Sequence, residues 1–199
     1  MELISNINFI EMTATILAIT YLLLAIRQNI LCWYAAFCSS ILYIFIFLKA
    51  DLYMESFLQV FYALIAIYGW RKWKQSNANL SNSSIISMKI TEHFVFIFFI
   101  LVLTLLSGFL MSYTQANFPY LDSFTTIAAI FTTFLVAKRI LENWLYWIII
   151  DSCSIYIYLE KSLYITSFLF MFYLVLALFG YFSWRKFFYD SIKKYDPKR

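Results

Sequence analysis

Charge is scarce in this chain. Only 13% of its 199 residues are Asp, Glu, Lys or Arg, against 63% hydrophobic and 22% aromatic residues, and the mean hydropathy is +0.77. No soluble domain of this size could hide so much apolar surface in one core, so an integral membrane protein is expected. Histidine is nearly absent. His93 stands alone, which removes an H-E-x-x-H zinc motif, and it opens an apolar run, where a snorkelling or capping side chain fits. The apolar runs hold no Ser–His–Asp set, so an enzyme is not expected, and no cofactor is implied. Cys32, Cys38 and Cys153 lie inside apolar runs with no C-x-x-C pair, which points away from a disulfide framework or a metal site. No G-x-x-x-x-G-K-[ST] loop occurs, so an ATP-driven pump would need that loop from a partner chain. The start, MELISNINF, lacks a basic n-region, and the first apolar run is long enough to remain as a span rather than be cleaved.

What is present is a series of seven apolar runs, each approaching the roughly 20 residues that cross a hydrocarbon core. They are Phe9–Ile26, Leu31–Leu48, Tyr53–Trp70, Phe94–Ser112, Ser123–Ala137, Trp144–Leu159 and Leu163–Trp184. The connections are short except for Lys72–Glu92, which contains the polar stretch QSNANLSNSS, and the loop around Tyr113–Asp122. Of the 15 basic residues, 13 fall after the first, third, fifth and seventh runs, and only Lys49 and Lys161 fall on the other side. The positive-inside rule then predicts the N-terminus outside and the C-terminus in the cytoplasm. The net charge of +4 therefore reads as topology, and no nucleic-acid partner is expected.

The chain also repeats itself. An ungapped shift of 111 residues lays runs one to three on runs five to seven, with 18 of 63 positions identical between Phe9 and Arg71. Trp33 falls on Trp144, Ser56-Phe57-Leu58 on Ser167-Phe168-Leu169, Ala66 on Ala177 and Gly69 on Gly180. Non-apolar matches such as Glu11 with Asp122 argue against composition alone. Four runs separate equivalent helices, so both halves would cross in the same direction. The predicted fold is an all-α membrane protein with a 3+1+3 parallel repeat, an established transporter plan with its substrate site near the midplane. Its expected parts are residues 1–74 as the first three-helix repeat, 75–118 as polar linker and linker helix, 119–188 as the second repeat, and 189–199 as a basic tail.

The candidate site centres on NWLYWIIIDSCSIYIY, Asn143–Tyr158. Trp144, Trp147, Asp151 and Ser154 are spaced i, i+3, i+7 and i+10, which places them on one helical face. A carboxylate at mid-membrane costs roughly 2.5–3.5 kcal/mol even on the gentler insertion scales, so Asp151 needs a partner, a proton or a watery cavity. A structural hydrogen bond to a neighbouring hydroxyl would also serve. No lysine or arginine occurs in the middle of any run, and a cationic ligand could supply the missing charge. Aromatic faces beside it would add cation–π attraction and stacking for a flat ring. Trp147 suits a pocket wall, whereas Trp144 could be an interface anchor or a ligand contact. The halves differ at these positions, Trp147 and Asp151 standing where the first half has Ala36 and Ser40. Where the first half has the polar Gln59, the second has Phe170. Gln59, Tyr62, Ala66 and Gly69 share one face, as do Phe170, Tyr173, Ala177 and Gly180, with the small residues suited to close helix packing. The candidate substrate residues are thus Trp144, Trp147, Asp151, Gln59, Tyr62, Tyr173, Asn143 and Ser154, and the ligand class is a planar, positively charged, polar metabolite.

The segment ENWLYWIIIDSCSIYIYLEKSLYITSFLFMFYLVLALFGYFSW resembles the PnuC family of vitamin transporters, whose W-x-x-W-x-x-x-N/D pattern is met by Trp144, Trp147 and Asp151. The first half is similar as well, through Leu58, Gln59, Val60, Phe61, Tyr68, Gly69 and Trp70, so the likeness covers nearly the whole chain outside the linker and tail. It implies a SWEET-like seven-helix carrier in the bacterial cytoplasmic membrane that works by facilitated diffusion, with the vitamin trapped by a cytoplasmic kinase. It also implies homotrimers. Nicotinamide riboside is the substrate the resemblance favours, with thiamine as the alternative and riboflavin also carried in the family. Asp rather than Asn at 151 leaves that choice open.

Overall fold

The protein, in a computed structural model, is described over residues 2–49, 53–78, 85–114 and 117–195, apart from the side chains of 2–8, 53–54, 77–78 and 194–195. Residues 79–84 of the expected polar linker and 196–199 of the expected basic tail lie outside the described residues. Among the described residues seven helices follow in order: α1 (Glu2–Ile26), α2 (Cys32–Lys49), α3 (Tyr53–Ala78), α4 (Ile90–Met111), α5 (Pro119–Ala137), α6 (Asn143–Glu160) and α7 (Tyr164–Tyr195). Helices are what an apolar chain must form in lipid, because each backbone N–H and C=O then finds its partner within the segment. Pro119 opens α5 at a position where its missing N–H is not needed. At the start of α4 the Glu92 carboxylate accepts the Lys89 N–H at 2.7 Å.

All seven expected runs are helical, and several helices outlast them. α3 continues beyond Trp70 to Ala78 and α7 beyond Trp184 to Tyr195. Helical hydrogen bonding does not end where the hydrocarbon does, so charge marks the membrane boundary and not the helix end. By length and composition alone α1, α2, α4, α5 and α7 can span a membrane. α3 and α6 fall short of that standard because they carry the polar load, Gln59 and Arg71 in one and Asn143 and Asp151 in the other.

The chain divides into two compact units, Met1–Ser83 and Ser84–Arg199. In the first unit α2 packs on α1 and on α3; in the second, α6 packs on α5 and α7, and α4 packs on α5. Local geometry recurs 111 residues apart. Gln28 and Arg139 both take a left-handed backbone, φ 54° and 57°. Each sits in a turn closed by the same pair of bonds: Gln28 N to Ala25 O and Asn29 N to Leu24 O, then Arg139 N to Val136 O and Ile140 N to Leu135 O. Trp33 meets Trp73 edge-on at 5.5 Å, and Trp144 meets Trp184 edge-on at 5.5 Å. All four rings are buried. Each pair leans on a glycine: a Cβ at Gly69 would lie 2.4 Å from Trp33, and one at Gly180 2.5 Å from Trp144.

At the far end of the second unit Lys161 Nζ reaches Asp122 Oδ2 at 3.1 Å, tying the α6–α7 turn to the first turn of α5. Both side chains are about a third exposed. Lys161→Met is therefore expected to change unfolding stability by less than about 1 kcal/mol, and a larger loss in thermal melts would show a structural role beyond a screened surface pair.

Candidate functional site

α6 is 18 residues long, about 27 Å at 1.5 Å per residue, and Asp151 sits at its middle. Its buried face comprises Asn143, Trp144, Ile150, Asp151, Ser154 and Ile157. The polar members of that face are held where a lipid-exposed helix would carry apolar groups. Asp151 is only 4% exposed, and no described residue forms an ion pair or hydrogen bond with its carboxylate. Ser154, one turn further on, is likewise buried. Removing a charged carboxylate from water without a compensating partner is costly.

The two tryptophans part company. Trp144 is 2% exposed, with Trp184 against its ring and Gly180 beneath it, and its Nε1 has no hydrogen-bond partner among the described residues. It is neither an interface anchor nor an open wall here but a knob between α6 and α7. Trp33 plays the same part between α2 and α3 in the first unit. Trp147 is partly buried and packs on the cluster of Ile100, Ala128 and Ile150, together with Phe96, Phe124 and Phe131. Asn143 is fully buried, its Nδ2 donating to Ile140 O at 2.5 Å while Oδ1 has no partner among the described residues, so it holds the turn that leads into α6.

Among the remaining candidates, Tyr173 on α7 meets Phe170 at 5.7 Å, and Phe170 meets Tyr158 of α6 at 5.1 Å. Asn143, Trp144, Trp147, Asp151, Ser154 and Tyr173 thus all belong to the second unit. Gln59 and Tyr62 are half-buried on α3 of the first unit. Among the described residues no three of His, Cys, Asp or Glu are grouped to hold a metal ion.

Glu142 and Tyr146, at the start of α6, are functional candidates that the spacing of the apolar runs does not single out. Glu142 accepts a hydrogen bond from Ser87 Oγ at 2.5 Å and one from the Met88 N–H at 3.1 Å. His93, expected to snorkel or cap, shares a hydrogen bond of 2.7 Å with the Tyr146 hydroxyl. The repeat carried a signal for both, since Glu142 and Tyr146 stand where the first half has Leu31 and Ala35.

The model of the nicotinamide mononucleotide transporter family matches residues 8–186. The chain is 24% identical over 205 residues to the nicotinamide riboside transporter PnuC of Escherichia coli (strain K12), a match covering 90% of this chain and 86% of that protein. The nicotinamide riboside transporter PnuC of Shigella flexneri matches with the same identity and coverage. In fold the chain is similar to the crystal structure of the vitamin B3 transporter PnuC, with a TM-score of 0.72 and 17% identity over 92% of this chain and 83% of that one.

Proposed function

We propose, from the premise that this chain belongs to the nicotinamide mononucleotide transporter family, that it carries nicotinamide riboside into the bacterial cell. The family consists of membrane transporters, and this chain is a multi-pass member. One observation carries the substrate assignment: a mid-helix carboxylate, Asp151, is buried without a cationic partner among the described residues. A pyridinium cation supplies the missing charge, and its flat ring suits an aromatic neighbour such as Trp147. The two PnuC relatives are both nicotinamide riboside transporters by name, which favours that vitamin over thiamine.

In this reading Asp151 and Trp147 are the principal contacts, Ser154 and Tyr173 flank them, and Gln59 and Tyr62 are the contacts proposed for the first unit. Trp144 and Asn143 act at one remove, fixing the register and entry of α6. The recurrence of the Trp–Trp–Gly packing 111 residues apart supports a 3+1+3 parallel repeat, the architecture of carriers that rock about a midplane site. The distribution of basic residues supports a cytoplasmic C-terminus in the bacterial inner membrane. Facilitated diffusion, trapping by phosphorylation and a homotrimer complete the reading on the family resemblance. Binding is modest, because a carrier that held its cargo tightly would release it slowly.

Uptake of labelled nicotinamide riboside, thiamine and riboflavin into liposomes containing the purified protein, with and without a proton gradient, tests this. The expected result is saturable nicotinamide riboside uptake that ignores the gradient. Uptake of thiamine alone would transfer the assignment to the other vitamin, and gradient-dependent uptake would reject facilitated diffusion.

A further inference from the structure

Residues 85–89 lead into α4 outside any helix, and Ile86 among them meets the turn between α5 and α6. Ile86 pairs with Ile140 in an isolated parallel bridge: the Ile86 N–H donates to Arg139 O at 3.1 Å, and the Leu141 N–H donates to Ile86 O at 2.9 Å. Ile85, beside it, is buried. The next two residues are gripped by Glu142, whose two carboxylate oxygens take the Ser87 hydroxyl and the Met88 N–H. One turn into each helix, His93 and Tyr146 are hydrogen-bonded, and Phe96 packs on Tyr146 with ring centroids 4.8 Å apart. The positions equivalent to Ile140, Glu142 and Tyr146 in the first half are Asn29, Leu31 and Ala35, and Leu31 is 53% exposed. An acidic residue and a hydroxyl have been placed in the second half alone, where a segment outside the repeat needs holding.

We propose that residues 85–89 form a strap binding α4 to the amino-terminal end of α6, with Glu142 as the positioning residue for the helix that carries Asp151. The strap makes α4 a fixed part of the second unit, so α4 and α6 move as one body through the transport cycle, and the mid-helix carboxylate is presented at a constant height. This rests on the transport reading above.

The test uses the full-length chain in liposomes, with Ile86→Cys and Ile140→Cys introduced together in a Cys38→Ser, Cys153→Ser background. Bridged strands lie about 4.8 Å apart, within reach of a disulfide. Oxidation is expected to leave nicotinamide riboside uptake within about twofold of the reduced protein, since the strap stays closed; loss of uptake on oxidation, recovered by reductant, would overturn the proposal. Glu142→Ala is expected to lower uptake about tenfold and to speed amide exchange in the first turns of α6, with the oxidised cross-link restoring both. Glu142→Gln, which keeps one carbonyl acceptor, is expected to fall between and stands in if the alanine variant does not fold. No loss in either variant, or a loss that the cross-link does not repair, would refute the strap. Absence of nicotinamide riboside uptake by the unmodified chain would instead sink the substrate assignment. The exchange rates and their repair, read on the ligand-free protein, still decide the strap.

Discussion

Asp151→Asn is expected to weaken nicotinamide riboside binding by about 30-fold, close to 2 kcal/mol, while leaving the folded protein no less stable. The two halves of that expectation have one cause. The carboxylate is buried, and no described residue pairs with it, so its removal leaves no hydrogen-bond partner stranded and relieves a desolvated charge. What is lost is the attraction to a ligand cation in a site shielded from water, where charge pairs are worth far more than at the surface. Calorimetric titration and thermal unfolding of the same preparation separate the two effects. A variant that unfolds several degrees earlier with unchanged affinity would make Asp151 a structural residue and remove it from the site.

Gly180→Ala is the second large effect, and here two tendencies oppose each other. Alanine is favoured over glycine inside a helix by about 1 kcal/mol. Against this, the added Cβ would stand 2.5 Å from Cδ2 and Cε3 of Trp144, a ring that is 2% exposed and backed by Trp184. Overpacking of a filled core costs about 1–3 kcal/mol, and at this separation the upper part of that range applies. Net destabilisation is therefore expected, read as a lower melting temperature in detergent. The same sign is expected for Gly69→Ala, whose Cβ would meet Trp33 at 2.4 Å. Combining Gly180→Ala with Trp144→Ala removes the clash, so the alanine at 180 should then be neutral or favourable. A melting temperature raised by Gly180→Ala alone would show that α6 and α7 separate easily, contrary to the packing described.

The helices were legible because an apolar run of membrane length has one structural solution. Their ends were less so: α3 and α7 run on past Trp70 and Trp184 because basic and polar residues sustain a helix in water as well as aliphatic ones do in lipid. The identity of positions 33 and 144, and of 69 and 180, pointed to packing, and the pairing of ring with glycine explains why those residues recur. Spacing along α6 placed Asp151 and Ser154 on a buried face but could not separate Trp144 from Trp147. One rests on Gly180 of α7, and the other on residues of α4 and α5, contacts that period alone does not encode. Nor could spacing find Glu142, since its partners Ser87 and Met88 are more than 50 residues away in sequence. A residue whose chemistry differs between the two repeated halves was the available clue: Asp151 against Ser40 at the candidate site, and Glu142 against Leu31 at the strap.

Comparing a charged ligand with its neutral counterpart tests most directly whether Asp151 serves as the counter-ion of a transported cation. Calorimetry with nicotinamide riboside and with its uncharged dihydropyridine form, on the natural chain and on Asp151→Asn, gives four affinities. The expected result is a preference for the cation of about 30-fold in the natural chain that falls to near unity in the variant. An equal preference in both proteins would show that the carboxylate does not face the charge of the ligand, and the account of selectivity would fail.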